Sequence, residues 1–132
     1  MILLDTHIWF WWVQDEQRLS PTLMERLDTE EKSGLAISIV SCWEIAKLVE
    51  NKRLDVFMPI DVWLHVATQY PGLRVLPLSV DIIVDSARLP RPFHRDPFDQ
   101  VIVATSRVMG LPLATMDRAI ALYPHADSVS GG

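Results

Sequence analysis

MILLDTHIWF, residues 1–10, sets the architecture. Ile2-Leu3-Leu4 is a short, wholly apolar run, which reads as a buried β-strand. It ends on Asp5, and a helical turn or two, Thr6 to Gln14, follows. A strand without a polar face needs cover on both sides, and such strands belong to parallel sheets. An acid at the end of such a strand is costly unless something there pairs with it.

The same alternation continues outward. Ser20-Pro21 reads as N-cap and first residue of a helix to about Lys32, and Gly34 breaks it. Leu35 to Ser38 is a second apolar strand. Ser41 then reads as the cap of a helix from about Cys42 to Asn51, with Ser41-x-x-Glu44 as a capping box that puts Glu44 in the first turn. A further helix runs from about Asp61 to Tyr70 and stops at Pro71-Gly72. Leu73 to Leu76 is a third strand, and Ser79 caps a helix to about Arg88. Asp96-Pro97 opens a helix that Gly110 ends. Leu111 to Thr115 is a fourth strand, with a short helix after Asp117. Strands alternating with helices predict a three-layer α/β/α domain over residues 1–127, with a central, mostly parallel sheet of four to five short strands. Residues 128–132, Ser-Val-Ser-Gly-Gly, read as a flexible tail.

Composition narrows the function classes. The 132 residues carry 12 Lys and Arg against 17 Asp and Glu, a net charge of −5, which disfavours coating nucleic acid by charge alone. No apolar run approaches the roughly 18 residues of a membrane span. The N-terminus lacks the basic region of a signal peptide. Cys42 is the only cysteine, so no internal disulfide forms, which fits a reducing cytoplasm.

The acids recur at structurally equivalent places. Asp5 ends the first strand, Glu44 opens the helix after the second, Asp96 and Asp99 open the helix after Pro90 and Pro92, and Asp117 follows the fourth strand. Strand C-termini and the helix N-termini after them share one edge of a parallel sheet, where such folds bind ligands. Capping accounts for each acid singly. It does not account for several elements delivering acids to one edge, where carboxylates repel one another. They coexist best around a hard cation, and oxygen ligands suit Mg²⁺ or Mn²⁺.

Four motifs stand in order along the chain: Leu4-Asp5-Thr6-His7, Ser41-x-Trp43-Glu44-Ile45, His94-Arg95-Asp96-Pro97-Phe98-Asp99 and Ala114-Thr115-x-Asp117. Together they resemble the PIN-domain ribonucleases, in particular the VapC-like toxins of bacterial toxin–antitoxin pairs. The resemblance implies a metal-dependent endoribonuclease that cleaves RNA with a metal-activated water, leaving a 5′-phosphate and a 3′-hydroxyl. It also implies a homodimer and a small antitoxin partner. By motif position Asp5, Glu44, Asp99 and Asp117 match the family's acidic quartet, and Asp96 matches an extra acid of one branch. Met116 departs from the basic residue common before the last acid, so Asp117 is the least secure of the four.

Thr6 and Thr115 are hydroxyls near the same edge, open either to substrate or to local hydrogen bonding. His94, Arg95, Arg91 and Arg118 are candidate phosphate contacts or solvated surface charges. Trp9, Phe10, Trp11 and Trp12 point several ways around one helix, so some are expected to face a partner. Trp43 is expected in the core or the site wall.

Other readings compete. A phosphoryl-accepting receiver domain needs a late lysine, but Lys32, Lys47 and Lys52 are all early. A haloacid-dehalogenase-like phosphatase needs an aspartate where His7 stands. A degenerate PIN domain acting as a binding module, or a housekeeping RNA-processing nuclease, would carry the same motifs.

Overall fold

The computed structural model describes residues 1–130. Five strands form one sheet in the order β3-β2-β1-β4-β5, and every pairing is parallel. The strands are β1 (Ile2–Leu4), β2 (Leu35–Ser38), β3 (Leu73–Leu76), β4 (Leu113–Thr115) and β5 (Ser128–Ser130). The helices are α1 (Thr6–Gln14), α2 (Pro21–Glu30), α3 (Ile39–Glu50), α4 (Ile60–Ala67), α5 (Val80–Ala87), α6 (Pro97–Met109) and α7 (Arg118–Ala121), with a 3₁₀ turn at Glu16–Arg18.

Strand alternation divides the sheet's side chains between two cores. Ile2, Leu4, Leu35 and Ile37 pack against Ile8, Trp9, Leu23, Leu27 and Trp63 from α1, α2 and α4. Leu3, Ala36 and Leu113 face the other way, against Ile82, Ile102, Val103 and Ile120 from α5, α6 and α7. Both faces are covered, which is why β1 and β2 have no polar face.

From β1 the chain runs to β2 and β3 on one side, then crosses back to β4 and β5 on the other. The order therefore reverses between β1 and β4. A crevice opens at the strand C-termini at such a point. Asp5 and Asp117 follow those two strands.

The structure corrects two boundaries. Ser38 caps α3: its side chain accepts the Val40 N–H at 3.1 Å, and the helix begins directly after β2 with no loop. Ser41 is inside the helix, so the capping box does not exist and Glu44 sits in the second turn. The expected flexible tail is ordered over Ser128–Ser130 as β5, paired with β4 through Leu113↔Ser128, Ala114↔Val129 and Thr115↔Ser130. Residues 131–132 lie outside the described residues.

The aromatic run on α1 divides as helical geometry demands. Trp9 and Phe10 are fully buried, with the Trp9 indole N–H donating to the Ala67 carbonyl at 3.3 Å, while Trp11 and Trp12 are half-buried. Trp43 is 59% exposed and packs edge-on against Phe98, outside the core. Ile45 takes the core position, and residues two apart on a helix are turned by about 200° from one another.

Candidate metal centre

Asp5, Glu44, Asp96, Asp99 and Asp117 line one cavity of about 340 Å³, together with His7, Trp11 and Met116. The sequence-predicted acids are thus brought together at the C-terminal edge of the sheet. Carboxylate oxygens of Glu44, Asp96 and Asp99 lie within 4.8 Å of one another, and so do ligand atoms of Asp99, Asp117 and His94, the last from the cavity's flank. Asp99 belongs to both groups and is the hub of the cluster.

Asp5 is buried and held at both oxygens. Its Oδ1 accepts the Thr6 N–H at 2.8 Å and its Oδ2 accepts the Thr115 hydroxyl at 2.8 Å. The Thr115 hydroxyl also accepts the Asp117 N–H at 2.9 Å. Asp117 caps α7, its Oδ1 accepting the Ala119 N–H at 2.8 Å. Asp96 caps α6, its Oδ1 accepting the Phe98 N–H at 2.9 Å. Each capping acid keeps a second oxygen that makes no hydrogen bond among the described residues. Capping and cavity lining are therefore compatible roles for the same carboxylate.

Thr6 and Thr115 are both fully buried. The Thr6 hydroxyl meets the Ser41 hydroxyl at 2.8 Å, and the Thr115 hydroxyl is taken up by Asp5. Their role as substrate contacts gives way to local hydrogen bonding, because neither hydroxyl reaches solvent. Ser41 itself was visible in the sequence only as a cap; its buried contact ties α3 to the start of α1. His94 reaches back to the acids instead of outward, with Nε2 3.2 Å from Asp99 Oδ2. Arg91, Arg95 and Arg118 are exposed, and none forms an ion pair among the described residues.

The electrostatics of the cluster are strained. Burial pushes the Asp99 carboxyl up to about 8, and the neighbouring charges of Asp5, Asp96, Glu44 and Asp117 add to the rise. Burial also raises Glu44 and Asp5; the Thr6 hydroxyl pulls Glu44 the other way, as the hydrogen bonds from Thr115 and Thr6 do for Asp5. Glu44 Oε1 is buried and has no hydrogen-bond partner among the described residues. A buried polar atom without a partner costs on the order of 1–3 kcal/mol. A divalent cation would answer both the orphaned oxygen and the mutual repulsion. An all-carboxylate donor set suits Mg²⁺ or Mn²⁺, so the residues present fit such an ion. Burial pushes the Cys42 thiol up, which suits a packing residue and not a nucleophile.

The PIN domain matches residues 2–125. The chain belongs to the PIN-domain family. This PIN domain is 30% identical to Ribonuclease VapC22 of Mycobacterium tuberculosis over 129 residues, covering 98% of this chain and 96% of that protein. Its fold resembles that of VapBC2 from Rickettsia felis bound to a DNA fragment from their promoter, with a TM-score of 0.70, 15% identity and 98% of each chain covered. It also resembles the DNA-bound VapBC of Salmonella typhimurium, with a TM-score of 0.67, 19% identity and full coverage of both chains. Among the described residues no helix is long and apolar enough to cross a membrane.

Proposed function

We propose that this PIN domain is a divalent-cation-dependent endoribonuclease and the toxin of a toxin–antitoxin pair. The observation that carries the reading is the convergence of five carboxylates on one cavity at the sheet's switch point, one of them with a buried oxygen lacking a partner among the described residues. The 30% identity to a VapC ribonuclease supports the substrate class. The fold likeness to a toxin–antitoxin complex from Klebsiella pneumoniae, with a TM-score of 0.66, supports an antitoxin partner, and a homodimer is proposed with it.

Asp5, Asp99, Glu44 and Asp117 would hold Mg²⁺ or Mn²⁺, with the second oxygen of Asp96 in reach of the same group. A cation bound there supplies a water of lowered pKa and charge to offset the phosphate. The protein's own part is positional. Thr115 and the Thr6 N–H fix both oxygens of Asp5, so that carboxylate cannot rotate. His94 steadies Asp99, its Nε2 3.2 Å from Oδ2. The helix caps fix Asp96 and Asp117 by one oxygen each and leave the other without a hydrogen bond among the described residues, on side chains that line the cavity. Such pre-organisation is what phosphoryl chemistry asks of a protein scaffold.

The test is incubation of purified protein with mixed cellular RNA in Mn²⁺, in EDTA and as Asp99→Asn. Cutting that needs Mn²⁺, that Asp99→Asn abolishes and that leaves 5′-phosphate ends supports the proposal. Cutting that persists in EDTA refutes it.

A further inference from the structure

Beside the acidic cavity lies a second one of about 500 Å³, walled by Pro92, Phe93, His94, Ala119, Leu122 and Pro124, with the buried Tyr123. It is apolar, where the acidic cavity is charged. The two are joined through a single side chain. The His94 ring lines the apolar cavity and also places Nε2 3.2 Å from Asp99 Oδ2. Phe93 stacks on His94 with centroids 4.4 Å apart and 26° between planes, and packs on Tyr123 at 4.7 Å. The Tyr123 hydroxyl is anchored on the Pro90 carbonyl at 2.6 Å. Leu122 is 68% exposed and offers an accessible apolar wall. Arg91, Arg95 and Arg118 are sequence neighbours of three lining residues, and all are exposed on a chain whose net charge is −5.

We infer that this cavity is a nucleobase subsite, holding the base next to the phosphate that is cut. The inference rests on the ribonuclease reading and names where its substrate lies. In a single strand, one sugar separates a phosphate from its base, and one imidazole ring separates the two cavities. Apolar and aromatic walls bind the faces of bases, and arginines beside them neutralise flanking phosphates. A charged peptide segment would find no counter-ion within the apolar walls, which favours a base over such an occupant.

The test uses two variants at exposed wall positions outside the acid cluster. Leu122→Ser strips the wall and Ala119→Leu fills the space. A fluorescein-labelled, randomised single-stranded RNA is titrated in EDTA at low ionic strength, and the same pool is cut in Mn²⁺ with product ends sequenced. Both variants are expected to weaken binding about tenfold with unchanged melting temperature, and to level out the base preference at one position beside the cut. Unchanged RNA binding overturns the subsite; loss of self-association in the same variants would then assign the groove to a second copy. Wild-type protein whose RNA binding both variants weaken, but which cuts nothing, keeps the subsite and refutes the nuclease. Wild-type protein that binds no RNA overturns both.

Discussion

The Thr115 hydroxyl donates to Asp5 Oδ2 at 2.8 Å and so couples the ends of two neighbouring strands, β4 and β1. The Thr115 hydroxyl oxygen in turn accepts the Asp117 N–H at 2.9 Å, so one hydroxyl places two acids. Thr115→Val keeps the shape and removes the donor. It leaves one oxygen of a buried carboxylate unpaired, at a cost of about 1–3 kcal/mol. Activity should fall about 10–100-fold, as for other losses of a group that orients a metal ligand. Thr115→Ser should recover most of both, measured by denaturant unfolding and RNA cleavage.

Asp99 makes the metal-free protein pH-sensitive. Its folded pKa, about 8, lies above the ordinary value of 3.8, and Asp5 and Glu44 are shifted in the same direction. The folded state therefore binds more protons than the unfolded chain between those values. Stability is fully present below the unfolded pKa and is lost as pH rises toward 8. In EDTA the melting temperature should drop between pH 5 and pH 8, and Asp99→Asn should flatten that slope and raise stability at pH 8 by on the order of 1 kcal/mol or more. A melting temperature that rises over this range in wild type would contradict the cluster as described.

Ser38 and Ser41 have separable roles. Ser38→Ala removes the α3 cap and should cost about 1 kcal/mol, with faster hydrogen exchange at the Val40 amide that it accepts from. Ser41→Ala should leave that amide protected, because Ser41 spends its hydroxyl on Thr6. Exchange monitored by NMR distinguishes the two.

Arg107 bridges the helices on the far face. Its guanidinium binds Asp85 at 2.9 Å and donates to the His125 carbonyl at 2.7 Å, tying α6 to α5 and to the loop before β5. Arg107→Met should destabilise by about 1–3 kcal/mol without changing the RNA ends produced. Mapped ends and chemical unfolding give the two readouts.

Much of the fold was legible because its strands are apolar throughout and its helices carry clear punctuation. Ser20-Pro21, Ser79, Asp96-Pro97 and Gly110 all stand where the helix ends lie. The α3 boundary was not, because Ile39 and Val40 are β-branched residues that read as more strand directly after β2, and two serines compete for the cap. β5 escaped because Ser-Val-Ser offers one apolar residue at a sheet edge, too little for any periodicity. Asp5, Glu44 and Asp117 were legible from their places after strands, and Asp96 and Asp99 from the motif that opens a helix entered from a loop. Their supports were not: Thr6 to Ser41 spans 35 residues and Thr115 to Asp5 spans 110, and no local pattern encodes such pairs. His94 looked outward to a phosphate because its neighbours Arg95 and Asp96 are polar, whereas the loop turns its ring onto Asp99.

The most direct measurement is calorimetric titration of Mn²⁺ into metal-free protein at pH 7, in buffers of different ionisation enthalpy, for wild type and Glu44→Gln. Saturable binding with proton release is predicted, because Asp99 begins largely protonated and a cation ligand must be ionised. Glu44→Gln should weaken that binding by about tenfold or more, on the scale of losing one charged partner. No saturable heat, or binding that releases no proton and ignores Glu44, would contradict the assignment of these five acids to a cation.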